Sequence, residues 1–127
     1  MCLWDRRLEY GGVNHFLLPD KVGGDHFTPR FGSVACKRLL EQMLALGCDR
    51  CDLQAKVFGG ASVLDAFRGG GQQLGARNVE TALSMLAQEG IDVVATDVGG
   101  RFGRRLVYFS DTGTAWVKII QGVDHGG

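Results

Sequence analysis

The chain lacks any excess of charge: 14 Lys and Arg stand against 14 Asp and Glu in 127 residues. Without a broad positive field, counterion release gives no grip on nucleic acid or on an acidic membrane surface, so neither is expected as a partner. Long apolar runs are missing too. No stretch approaches the ~20 residues that cross a bilayer, and no basic segment followed by an apolar one opens the chain as a secretory signal would. These absences predict a cytoplasmic protein without membrane insertion. Gly69-Gly70-Gly71 and Gly99-Gly100 have neither the P-loop nor the dinucleotide-binding spacing, so they read as turns, and no cofactor is expected.

What is present is a 45% hydrophobic inventory and 20 glycines, many in pairs between apolar stretches. The length suits one domain with its own core. Val13 to Leu18 reads as a short strand stopped by Pro19, with His15 inside it. Residues 19–32 hold both prolines and read as a long surface loop. From Ser33 to Leu46, Cys36, Leu39, Leu40, Met43 and Leu44 recur at helical spacing, with Ser33 as N-cap and Gly47 as stop.

Asp52 to Phe58 alternates as a half-buried strand, with Leu53, Ala55 and Val57 on one parity, and ends at Gly59-Gly60. A second helix carries the stripe Val79, Ala82, Leu83 and Leu86, with Asn78 as cap candidate and Gly90 as terminator. Ile91 to Ala95 reads as a strand, and Leu106 to Phe109 and Thr114 to Ile120 form a hairpin about Asp111-Thr112-Gly113. Met1-Cys2-Leu3-Trp4 begins in an apolar run, either a short strand or one entered midway. The expectation is a single-domain α/β fold, a mixed sheet flanked by two main amphipathic helices.

Several residues have both a chemical and an ordinary reading. The four cysteines, Cys2, Cys36, Cys48 and Cys51, read as reduced thiols rather than a disulfide framework. Cys48-x-x-Cys51 has the spacing of half a zinc site or a redox pair. No second pair completes a tetrahedral site, although Cys36 and His26 are conceivable additions, and the spacing straddles a helix end; no metal is expected. His26 reads as a solvated loop histidine and His125 as part of a tail. Gly59-Gly60, after a strand, either brings backbone donors to a substrate or simply turns the chain. Arg77 and Asn78 either fix the second helix or touch substrate.

Five segments in order resemble the CheD family of chemoreceptor glutamine deamidases. They are Gly11-Gly12-Val13-Asn14-His15-Phe16-Leu17-Leu18-Pro19, Ala55-Lys56-Val57-Phe58-Gly59-Gly60-Ala61, Gly75-Ala76-Arg77-Asn78-Val79-Glu80, Val94-Ala95-Thr96-Asp97-Val98-Gly99-Gly100 and Gly103-Arg104-Arg105. The resemblance runs from Cys2 to about Ile120. It implies a CheD-like cysteine hydrolase domain over 1–120 with a tail over 121–127. The implied activity converts glutamine side chains of methyl-accepting chemotaxis receptors to glutamate with release of ammonia. A thiolate would attack the carboxamide, a histidine would move protons, and water would hydrolyse the thioester. On this resemblance His15 is the catalytic histidine, and Gly59, Gly60, Arg77 and Asn78 are candidate substrate contacts. The cytoplasmic helices of the receptors are the expected partner, and a response-regulator phosphatase is a second one.

One departure from the family matters. The family's nucleophile lies in a Gly-Ser-Cys motif four residues before a second cysteine that opens a Cys-Leu-Trp-Asp-like strand, and Cys2 falls on that second position. The implied nucleophile, and a threonine that orients the histidine, would precede Met1, so the domain is expected to be incomplete at its N-terminus. Four residues of strand are about 13 Å, too far for Cys2 to replace a thiol that must meet its base within about 3.5 Å. Two functional expectations follow: a deamidase whose nucleophile lies outside this chain, or a non-catalytic module that docks a receptor or the phosphatase.

Overall fold

The computed structural model describes residues 1–17, 31–61 and 70–121. His26, His125, Pro19 and the 122–127 part of the expected tail lie outside these. Strand β1 (Cys2–Asp5) turns back through residues 6–9 into β2 (Tyr10–Val13). Helix α1 (Gly32–Ala45), a 3-10 turn (Arg50–Asp52) and β3 (Leu53–Gly59) follow. After α2 (Gly70–Gln88) and β4 (Asp92–Val98), β5 (Arg104–Phe109) and β6 (Thr114–Ile119) close the order.

The sheet has the order β2-β1-β3-β4, and β5-β6 form a separate two-stranded sheet. β1 runs antiparallel to β2 and β3, whereas β3 and β4, joined through α2, run parallel, so the sheet is mixed as expected. Alternation sorts the two faces. Leu3, Leu53, Ala55 and Val57 are buried with Leu39, Leu40 and Met43 of α1 and Ala82 and Leu86 of α2. On the opposite face Tyr108 Oη donates to the Leu3 carbonyl at 3.0 Å and Lys56 Nζ to the Gly113 carbonyl at 2.8 Å. The β5-β6 hairpin therefore covers that face, giving three layers around the sheet. Gly113 permits the approach: with φ +74, a Cβ there would lie 2.6 Å from Trp4 Cγ.

Three sequence expectations shift. The strand placed at Val13 to Leu18 ends at Val13, because Cys2 pairs with Val13 and the ladder stops where β1 starts. Asn14 and Met1 still exchange two backbone bonds, at 3.0 and 3.3 Å, and His15 lies beyond them in irregular chain. Ser33 is not the cap of α1. The N-cap is Phe31, with no side-chain hydrogen bond, and Gly32 opens the helix because a Cβ there would meet the Phe16 ring at 2.5 Å. Asn78 sits inside α2, which begins at Gly70, and its side chain makes a tertiary bond instead of a cap. Gly47 and Gly90, both with positive φ, do follow the helices they were expected to stop.

Candidate active site

A cavity of about 710 Å³ opens where β3 ends and β1 begins, between the start of β5 and α2. His15, Gly59, Gly60 and Asn78 line it, together with Asn14 and Arg104. The structure therefore brings four of the five sequence candidates together. Arg77 is exposed on α2 and is not among the lining residues.

The His15 side chain is exposed, but the backbone on either side is held. Asn14 is tied to Met1, Phe16 packs where Gly32 leaves room, and Asn78 Nδ2 donates to the Leu17 carbonyl at 3.1 Å. Asn78 therefore anchors the histidine segment through this bond, a role the sequence did not indicate, and its Oδ1 has no partner among the described residues. Among the described residues the Asn14 amide, with only the Cys36 thiol beside it, and Arg104 Nε are likewise buried without a partner of good geometry. Such groups cost about 1 to 3 kcal/mol each. Their concentration around one cavity gives it a polar wall that packing alone does not explain.

Gly59 and Gly60 make the sharpest turn in this wall, with φ of +121 and +72. A side chain at Gly60 would put Cβ 2.3 Å from Val79 Cγ2 and 3.0 Å from the Gly75 carbonyl. The Gly59 carbonyl accepts from the Gly99 N–H at 2.8 Å and from Arg104 Nη1 at 3.1 Å. Arg104 Nη2 also donates to Asp97 Oδ1 at 3.2 Å, and the Arg104 side chain is only 7% exposed. Sequence reading missed Arg104 as a site residue. The signal was its parity in β5, which it shares with inward Leu106 and Tyr108 while Val107 and Phe109 face out.

The thiols are all elsewhere. Cys2 lines a second cavity of about 80 Å³ with Lys56 and Tyr108, on the hairpin side of the sheet. Burial pushes its thiol up, against the pull of the terminal amine and Lys56. Cys36 lies in the helix core, its thiol also raised by burial. Cys48 is pushed up to about 11 by burial and by the adjacent Asp5 carboxylate. These three are neutral thiols near pH 7, poorly suited to attack. Cys51 is exposed at the far end of the sheet beside Asp49 and Asp52, and Asp52 is already ion-paired to Arg7 at 3.0 Å.

Among the described residues no helix is long and apolar enough to cross a membrane. A family model described as CheD chemotactic sensory transduction matches residues 17–119. A probable chemoreceptor glutamine deamidase CheD of Trichlorobacter lovleyi is 48% identical over 113 residues, covering 89% of this chain and 70% of that protein. The corresponding CheD 1 of Anaeromyxobacter dehalogenans is 48% identical over 120 residues, 94% of this chain and 69% of the relative. That of Sulfurimonas denitrificans is 36% identical over 121 residues, 95% and 78% of the two chains. With a matched family model over most of its length and relatives this similar, the chain belongs to the CheD family.

Proposed function

We propose that this domain is the histidine-bearing part of a protein-glutamine deamidase acting on chemoreceptor glutamines, and that the 710 Å³ cavity receives the glutamine side chain. The single observation that carries this reading is the meeting of His15, the Gly59-Gly60 turn and unpaired amide and guanidinium groups in one wall. A carboxamide needs both donors and acceptors, and this wall offers both. In the reaction a thiolate bonds to the carboxamide carbon. His15 delivers a proton to the departing nitrogen, ammonia leaves, and water activated by the same imidazole hydrolyses the thioester to glutamate. The Gly60 N–H is the donor for the oxyanion. A histidine suits the proton steps because its ordinary pKa lies near working pH.

The nucleophile is none of the four cysteines of this chain, since none lines the cavity. By the family resemblance it belongs to a Gly-Ser-Cys motif, which no residues of this chain match. Incubated with a receptor cytoplasmic fragment, the 127-residue chain is therefore expected to produce no glutamine-to-glutamate mass gain of about one dalton. An extended chain carrying that motif is expected to produce it, and His15→Ala in the extended chain to lower the rate on the order of 10²-fold. Conversion by the 127-residue chain, or full activity of the alanine variant, would sink the assignment.

The absence of a thiol from the cavity wall also favours a second reading, a non-catalytic module of the chemotaxis system. Its partner would be the receptor helices or a response-regulator phosphatase. Retention of a receptor fragment or the phosphatase by the immobilised chain tests it, and binding no stronger than to a blank resin removes it.

A further inference from the structure

We propose that Arg104, braced by Asp97, is a positioning residue that aims the Gly60 N–H into the cavity. The inference rests on the reading of Gly59-Gly60 as a substrate-binding turn and adds the groups that set its orientation.

Three elements meet at the Gly59 carbonyl. It ends β3, it accepts from the Gly99 N–H just past β4, and it accepts from Arg104 at the start of β5. Among the described residues no peptide bond is cis, so the Gly60 N–H points opposite to the Gly59 carbonyl. Fixing the carbonyl toward β4 and β5 therefore fixes the N–H in the other direction. The next carbonyl is committed as well: an added Cβ on Gly75 would lie 2.6 Å from the Gly60 oxygen, so that oxygen faces α2. No acceptor among the described residues takes the Gly60 N–H. Glycine at both positions makes this peptide easy to flip, because left-handed and extended conformations are equally open to it. Two hydrogen bonds to one carbonyl, one of them charge-assisted, oppose the flip.

Burial of the arginine supports a positioning role over a surface ion pair. Its side chain is 7% exposed while Asp97 is 44% exposed, so the carboxylate holds the guanidinium from the solvent side and leaves Nη1 directed at Gly59. Lysine has donors enough but concentrates them on one nitrogen, without the planar fork that spans Gly59 and Asp97 here.

The test is a nitrogen-15 spectrum of the chain titrated with N-acetyl-glutamine N-methylamide, with the glutamate analogue as control. In the parent chain the Gly60 N–H resonance is expected to move on addition of the blocked glutamine. Arg104→Met is expected to displace that resonance before any ligand is added and to weaken binding roughly tenfold, the loss of one oriented hydrogen bond. Arg104→Lys should recover part of both effects. A thermal melt and the dispersion of the spectrum check folding. If Arg104→Met does not fold, Asp97→Ala, at a half-exposed position, is expected to displace the same resonance in the same direction.

An unchanged Gly60 resonance and affinity in Arg104→Met, or in Asp97→Ala when the methionine variant is unfolded, overturns the role of Arg104 and leaves the cavity reading standing. No movement of Gly60 in the parent chain overturns the cavity reading first, and the role of Arg104 in it falls as a result.

Discussion

The two ends of the central strands treat buried polar groups in opposite ways. At the Asp5 end, a carboxylate with no solvent exposure organises the β1-β2 turn: Oδ1 accepts the N–H groups of Arg7 at 2.7 Å and Leu8 at 2.8 Å. The Cys48 thiol lies beside this carboxylate, whose Oδ2 alone lacks a bond of good geometry. Around it Arg7 pairs with Asp52, and Arg50 pairs with Glu89 at 2.8 Å. At the opposite end, about 13 Å along β1, Asn14, Asn78 and Arg104 leave donors and acceptors unpaired around an open cavity. One end is largely closed by its own atoms, and the other leaves polar groups facing a cavity. This division is the usual relation between a stabilising scaffold and the less stable site that it supports.

That contrast can be broken at either end. The largest expected effect is from Asp5→Ala, which leaves two part-buried N–H groups without their acceptor and empties a fully buried site, and should cost about 3 kcal/mol in urea unfolding while leaving the Gly60 response to blocked glutamine intact. Loss of that response together with stability would mean that the two ends are not separate. Gly60→Ala comes next. Its φ of +72 and the clash that an added Cβ would make with Val79 predict a loss of about 2 kcal/mol, with the glutamine response abolished. A stable, responsive Gly60→Ala protein would remove the turn from the site.

A smaller effect is pH-dependent. Burial alone would raise the Asp5 carboxyl, but the Leu8 N–H, the Cys48 thiol and the Arg7 N–H outweigh it and hold the group below its ordinary value of 3.8. The folded form therefore binds its proton less readily than the unfolded chain. The resulting stability is fully present above 3.8 and is lost as pH falls through the lower folded value. Urea midpoints of the parent chain from about pH 7 down to about pH 3 should fall steeply at the acid end, and those of Asp5→Asn less so. Equal slopes would show that Asp5 contributes nothing to the acid limb. The smallest perturbation is chemical: iodoacetamide at about pH 8 should label exposed Cys51 first, with buried Cys2, Cys36 and Cys48 protected until unfolding. Early labelling of Cys2 would contradict its place between the sheet and the hairpin.

Much of the fold was legible because its elements carry clean periods. The stripe Cys36-Leu39-Leu40-Met43 and the alternation Leu53-Ala55-Val57 face the same core from opposite layers. The four-residue β1 and β2 were less legible, too short to show a period. Strand β5 also inverts the usual pattern, since Arg104 faces inward while Val107 and Phe109, like Trp116 opposite on β6, are exposed. The site was legible through His15 and the Gly59-Gly60 pair, carried by motif resemblance. Arg104 and the anchoring bond of Asn78 were not, because each depends on a carbonyl brought near by tertiary packing, 45 and 61 residues away in sequence.

The three fixings around His15 have a consequence for binding thermodynamics. With Asn14 tied to Met1, Phe16 seated on Gly32 and the Leu17 carbonyl held by Asn78, the backbone of this short segment is ordered before any ligand arrives. Its conformational entropy, on the order of 1 to 2 kcal/mol per residue, is lost at folding and not on association. What remains for a ligand in the cavity to restrict at this residue is the rotation of one imidazole about two bonds, so little of the ordering cost is left to be met on association.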